Sequence, residues 1–237
     1  MLGAVFGSFI GTLTQRWGQG RSIAGRSHCE TCQRQLSFID LIPVISFTLL
    51  KGRCRTCSAP IERRQVLVEL VAAGIGATAL FVSPDAVGLS GALFGWVLFA
   101  IFLFDVEHFW LPNTLTLPLA GLGLALGLGQ LEDRVIGLAA GFLSLTAIRL
   151  TYLLVRRREG MGGGDPKLFS AIGAWLGWIN LPFILVGASV IGLATIAIRA
   201  VMGKPVSGDV ALPFGALMAV AGFAGWLLRA ENISLPF

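Results

Sequence analysis

The sequence predicts an all-α polytopic membrane protein of about eight transmembrane helices, with a small cytoplasmic zinc-knuckle domain in its first loop. Three observations predict it. The 237 residues are 55% hydrophobic and only 13% charged, with a mean hydropathy of +0.79, whereas soluble domains are about a quarter charged. Charge-free apolar runs recur along the chain at close to the length that crosses a bilayer, about 20 residues. All four cysteines, as two Cys-x-x-Cys pairs, fall in the one sizeable polar segment, residues 16–66.

The runs can be taken in order. Met1–Gln15 has no basic stretch before it and no convincing cleavage site after it, so it reads as a first span, short for a full crossing, and not as a signal peptide. Leu70–Pro84, Ala86–Phe104, Thr114–Gln130 and Val135–Ile148, the last extending toward Val155, follow. Leu168–Ile198 carries Asn180 and Pro182 near its middle. It therefore reads as two short helices joined by a turn at Trp178–Pro182. Val210–Leu228 is the eighth. The expected division is a first span at 1–15, a four-cysteine zinc-binding domain at 16–66, a transmembrane domain at 67–230 and a tail at 231–237. Inside the polar loop, Ser37–Leu50 is apolar but is interrupted by Asp40 and Pro43. It is too short for a span and is expected to rest on the membrane surface or the base of the loop.

Charge orients these spans. Sorted by an eight-span topology, sixteen of the 18 Lys and Arg fall on one side. Nine are in the first loop (Arg16, Arg21, Arg26, Arg34, Lys51, Arg53, Arg55, Arg63, Arg64), joined by Arg149, Arg156, Arg157, Arg158, Lys167, Arg199 and Lys204. Only Arg134 and Arg229 fall opposite. The positive-inside rule makes the crowded side cytoplasmic and puts both termini outside the cytoplasm. Topology accounts for most of the net charge of +5, with attraction to anionic lipid adding to it. No basic patch needs nucleic acid to explain it.

Cys29-x-x-Cys32 and Cys54-x-x-Cys57 offer four thiolates, the donor set of a closed tetrahedral zinc site. Twenty-one residues separate the pairs, marginally more than is usual for such a pattern. The cytoplasm is reducing, which argues against stable disulfides. Gly52, just before Cys54, suits a tight turn. A redox pair, another metal and free thiols are the competing readings, and His28 is a candidate substitute ligand. A four-thiolate site has no open position, so the metal would organise the loop and not catalyse.

Two acids fall at the ends of spans on the crowded side. Asp105 closes the third in FDVEHFWLPN, and Asp165 opens the sixth in GMGGGDPKL. Charges at membrane depth are costly and usually functional. The plain reading of Asp105 is a solvated acid that ends a helix. The plain reading of Asp165 is a helix N-cap, with Pro166 at the first helical position. Capping alone does not require Gly162, Gly163 and Gly164, which would let a substrate chain lie beside Asp165. Two adjacent carboxyls do not easily both ionise, so one serves as base and the other as acid. Lys167 either binds the loop or substrate backbone or simply obeys the charge rule.

Three segments resemble the type IV prepilin peptidases, a family of bacterial membrane aspartic proteases. They are the cysteine loop SHCETCQRQLSFIDLIPVISFTLLKGRCRTCSAPIERRQVLVEL, the segment FDVEHFWLPNTLTLPL, and GMGGGDPKLFSAIGAWLGW. In the second, Asp105 precedes Pro112 by seven positions; Glu107, its nearest competitor, precedes it by five. In the third, Gly162, Gly163, Gly164 and Asp165 make the family's Gly-x-Gly-Asp motif. The resemblance covers about residues 5–200. It implies that Asp105 and Asp165 are the catalytic pair of an inner-membrane endopeptidase. Its substrates would be prepilins or pseudopilins, cut after a glycine that ends a short basic leader. It also implies structural zinc on Cys29, Cys32, Cys54 and Cys57, and S-adenosylmethionine as co-substrate for methylating the new N-terminal amine. Gly162, Gly164 and Lys167 are the expected substrate contacts. Glu62, Arg63, Arg64 and Glu69 are placed near the methyl donor by location alone. Two alternatives stand beside this reading. One is a peptidase whose zinc loop only docks substrate, and the other is a membrane scaffold or transporter whose acids bind ions.

Overall fold

Charge-free apolar runs become helices because a bilayer leaves the backbone no partner but itself. The computed structural model describes residues 2–29, 31–37, 40, 43–203 and 212–234. Outside them lie Met1, Glu30, four apolar residues of the 37–50 stretch (Phe38, Ile39, Leu41, Ile42), residues 204–211, with Lys204 and with Val210 and Ala211 at the start of the expected eighth span, and residues 235–237 of the tail. Among the described residues there are nine α-helices: α1 (Leu2–Gly18), α2 (Ile45–Leu49), α3 (Arg63–Val82), α4 (Ala86–His108), α5 (Asn113–Leu126), α6 (Leu131–Arg156), α7 (Asp165–Leu176), α8 (Leu181–Val201) and α9 (Phe214–Ser234). All but α2 coincide with the eight apolar runs. Five are long and apolar enough to cross a membrane: α3, α4, α6, α9, and α8 with the turn before it. α5 is a shorter apolar helix, and α1 and α7 have 17 and 12 residues.

Local chemistry sets the ends. Asp85 caps α4, accepting from the Val87 and Gly88 amides at 2.9 and 3.2 Å. Phe109 closes the same helix in the left-handed conformation (φ 50°), its amide reaching the Asp105 carbonyl. Prolines stand in the first turns of α7 and α8, where no amide is missed. The long run at 168–198 breaks at Gly177 (φ 75°), followed by a 3-10 turn at Trp178–Asn180.

Several boundaries differ from expectation, for one reason: apolar runs measure the bilayer, not the hydrogen-bonded helix. α1 continues to Gly18 and α3 begins at Arg63, carrying basic residues on helix ends that leave the apolar zone. α5 stops at Leu126, short of Gln130, and the Leu128 amide then bonds the Trp175 carbonyl. α9 runs through 231–234, where a tail was expected.

Small residues let the helices approach closely. A Cβ at Gly7 would stand 2.6 Å from the Glu69 Cα of α3, and one at Gly173 would run into the Gly137 carbonyl of α6. α7 is the central pillar: every residue from Asp165 to Leu176 except Lys167 is buried. Successive helices alternate in direction. At one end Gly18 meets His108, Arg64 meets Glu107, Lys167 meets Asn113, and Gly164 and Gly215 meet Leu111. At the other end Trp178 bonds Asp133 at 3.2 Å, and Arg134 and Arg229 donate to the carbonyls of Leu124 and Leu176.

Candidate active site and metal centre

Asp105 lies in the last turn of α4 and is 5% exposed. Its Oδ2 accepts the Ala216 amide at 2.7 Å. Ala216 is the third residue of α9, whose first-turn amides have no partner within their own helix. Asp105 thus caps a helix from which it is separated by more than a hundred residues. This corrects the plain reading of a solvated helix-ending acid, because the α9 amide draws the carboxyl inward.

Asp165 is also 5% exposed. It is not the N-cap: Gly164 holds that place, without a side-chain cap bond, and Asp165 is the first residue of α7. Its carboxyl is instead within electrostatic reach of Asp105 and of Arg149, and faces the Gly162 backbone.

Leu111 packs against a glycine next to each acid, and sequence reasoning passed it over. A Cβ at Gly164 would stand 2.6 Å from the Leu111 side chain, and one at Gly215 2.8 Å from it and 3.0 Å from Asp105 Oδ2. Leu111 is therefore wedged between the starts of α7 and α9, and glycine at 164 and 215 makes room for it. At Gly162 a Cβ would lie 3.3 Å from Asp165 Oδ2, whereas Gly163 has nothing closer than Arg149 at 3.6 Å. Arg149 was read only as a topology charge. Its signal was a single arginine interrupting the apolar run that ends at Ile148. It also lies 3.6 Å from Glu159.

Other expected residues have partners of their own. Lys167 donates to Asn113 Oδ1 at 2.8 Å, tying the start of α7 to that of α5. Arg64 bonds both carboxyl oxygens of Glu107 at 2.8 Å and the Thr14 hydroxyl at 2.9 Å. Glu107 is thus held in an ion pair. Glu69, 5% exposed, accepts from the Val44 amide at 2.9 Å and from Gln65 at 3.2 Å, pinning the polar loop to α3. Glu62 and Arg63 stand at the start of α3.

The four cysteines form a second centre. Their sulfurs all lie within 4.8 Å of one another, with Cys29 Sγ and Cys57 Sγ at 3.7 Å. A tetrahedral zinc site with Zn–S near 2.3 Å implies sulfurs about 3.8 Å apart, so the donor set and its spacing fit zinc. The two pairs are built alike. The Cys29 amide bonds the Arg34 carbonyl and the Gln33 amide returns to Cys29; the Cys54 amide bonds Ala59 and the Ser58 amide returns to Cys54. Single bridges His28–Gln35 and Arg53–Pro60 close both hairpins at the same spacing. Amides of Cys57 and Thr56 bring the Cys54 thiol down to about 6, and those of Cys32 and Thr31 lower Cys29. The Ala59 amide favours ionisation of Cys57, but partial desolvation and the crowd of the other three sulfurs push it up to about 11. Four sulfurs so placed ionise together only around a cation.

Comparison with known proteins agrees along the chain. Residues 1–83 match the bacterial peptidase A24 N-terminal domain, and residues 92–197 the type IV leader peptidase family. A prepilin leader peptidase/N-methyltransferase of Dichelobacter nodosus is 40% identical over 211 residues, covering 86% of this chain and 72% of that protein. One of the same name from Aeromonas hydrophila is 39% identical over 214 residues, covering 88% and 73%. A type 4 prepilin-like proteins leader peptide-processing enzyme of Escherichia coli O78:H11 is 37% identical over 211 residues, covering 86% and 76%. No solved structure matches. With both halves matched by this family's domains, and relatives at about 40% identity along most of its length, the chain belongs to the type IV leader peptidase family.

Proposed function

We propose that this chain is a multi-pass inner-membrane enzyme that removes the leader peptides of prepilins or pseudopilins and methylates the new N-terminal amine. Asp105 and Asp165 are its catalytic pair. The observation that carries the reading is the joint burial of these two carboxyls at one end of the bundle, where Leu111 packs both on Gly215, beside the Asp105 carboxyl, and on Gly164, next to Asp165. Adjacent carboxyls in a poorly hydrated site share a proton. The ionised one takes a proton from water as the oxygen attacks the scissile carbonyl. The protonated one donates to the amide as the bond breaks. The bare backbone at Gly162 and Gly163 leaves room for an extended substrate beside Asp165, and Lys167 braces the start of α7 through Asn113. The sixteen basic residues of one side make the active end cytoplasmic, with both termini opposite.

Residues 16–66 form a zinc-binding domain, with Cys29, Cys32, Cys54 and Cys57 holding the metal. Bound there, zinc would act as a structural cross-link, since four sulfurs leave no position for a substrate. Residues 67–230 form the peptidase domain. The names of the relatives support methylation, with S-adenosylmethionine as the methyl-donating co-substrate.

The test is to incubate the detergent-purified protein with a prepilin bearing a Gly–Phe junction, with and without S-adenosylmethionine, and to read masses. Leader loss is expected in both, and one added methyl only with the donor. No leader loss overturns the peptidase; leader loss without methylation leaves a peptidase alone.

A further inference from the structure

The two cysteine hairpins are separate units, and among the described residues between Gly18 and Arg63 Cys54 is the only buried apolar residue. Among the described residues no apolar core sets one hairpin against the other. A carboxylate in the linker does. The Asp40 side chain is 5% exposed. Its Oδ2 accepts from the Ser37 amide at 3.1 Å, from the Ser37 hydroxyl at 2.8 Å and from Arg34 Nη2. Its Oδ1 stands 3.3 Å from Arg55 Nε. These arginines belong to different hairpins. The Arg34 carbonyl closes the first by receiving the Cys29 amide, and Arg55 lies between Cys54 and Cys57. Burial opposes the charge on Asp40, but Ser37, Arg34 and Arg55 together hold its carboxyl below the ordinary value, so it is ionised at neutral pH.

We propose that Asp40 is the positioning residue of the metal centre, gripping one arginine from each hairpin so that the four sulfurs meet at tetrahedral spacing. Electrostatics supports this pairing. A divalent zinc with four thiolates carries two net negative charges, and Arg34 and Arg55 bring one positive charge to each hairpin. Asp40 fixes where those charges stand. Groups outside the ligand shell that orient the ligands change metal affinity by about 10- to 100-fold. The inference rests on the reading of the four thiols as a zinc site.

The experiment measures zinc loss from the zinc-loaded, full-length protein in detergent to an excess of a chromophoric chelator. Asp40→Asn keeps the shape of the side chain and removes its charge. It should release zinc about tenfold faster or more, with helix content by circular dichroism unchanged, and Asp40→Glu should recover part of the difference. Release at the parent rate overturns the proposal. Faster release together with lost helix content also overturns it, because a residue that supports the whole chain would do both. A parent protein that takes up no zinc removes the centre and the proposal with it; leader cleavage by the same preparation would leave the peptidase reading standing.

Discussion

Between α6 and α7, Gly137 and Gly173 bring two backbones into contact, and Ser170 donates to the Leu138 carbonyl at 2.7 Å. Between Gly18 and Arg63 nothing comparable exists among the described residues: two hairpins, one buried sulfur, and a carboxylate between arginines. The bundle is held by shape and dispersion, which neither metal nor moderate pH change touches. The loop is held by charge, and its four sulfurs are placed to hold a cation. The difference teaches that the two chemistries can be separated. The acids sit on helix ends in the bundle, and the thiols sit on two hairpins outside it. Among the described residues the hydrogen bonds that join them include Glu69 with the Val44 amide, and Arg16 with the carbonyls of Ile23, Gly25 and Arg26.

The largest expected effect tests that separation. Asp105→Asn and Asp165→Asn should each slow leader cleavage at least about a hundredfold, the scale of a lost general acid or base. Zinc content should stay at the parent level. A variant that cuts normally removes that residue from the catalytic pair, and one that sheds zinc breaks the separation. Next in size, Cys54→Ser should abolish zinc retention and expose the loop arginines to trypsin while helix content persists. If the helices melt as well, the loop is part of the bundle's stability and the contrast fails.

How much of this was legible in the sequence follows the same division. The apolar runs located eight helices because in lipid a backbone has one solution, and the spacing of the cysteines located the thiol cluster. Less visible was anything carried by contacts distant in sequence. Leu111 looked like one more apolar residue, yet it determines why Gly164 and Gly215 are glycines. Asp165 looked like an N-cap, because a motif does not say which way a carboxyl turns. Asp105 receives an amide from α9 that no local pattern forecasts. The likeness of the two hairpins was present in the repeated Cys-x-x-Cys, but the closing bonds at Arg34 and Ala59 belong to backbone geometry.

Third in size is a test of packing. Gly173→Ala drives a methyl toward the Gly137 carbonyl, and backbone cannot step aside as a side chain can. Overpacking of this kind costs about 1–3 kcal/mol. A lower thermal midpoint with full zinc occupancy is expected, whereas Gly121→Ala, which meets open space, should leave the midpoint unchanged. Equal behaviour of the two would mean that α6 and α7 are less closely joined than their backbones indicate.

The smallest effect concerns acid. Asp85 caps α4, and the Ser83 hydroxyl with the Gly88 and Val87 amides holds its carboxyl below the ordinary value. Its folded pKa is depressed, so its contribution is complete above the ordinary aspartate range, near pH ~4, and is lost as pH falls through the lowered value. Asp85→Ala should therefore melt slightly below the parent at neutral pH, with the two curves converging in strong acid. The loop should respond to acid earlier and more strongly, since protons compete directly with zinc for thiolates. Following zinc release and helix melting in one acid titration would rank the two regions. Zinc should leave while the bundle, the Asp85 cap included, is still intact; simultaneous loss would mean that metal and helices share one cooperative unit.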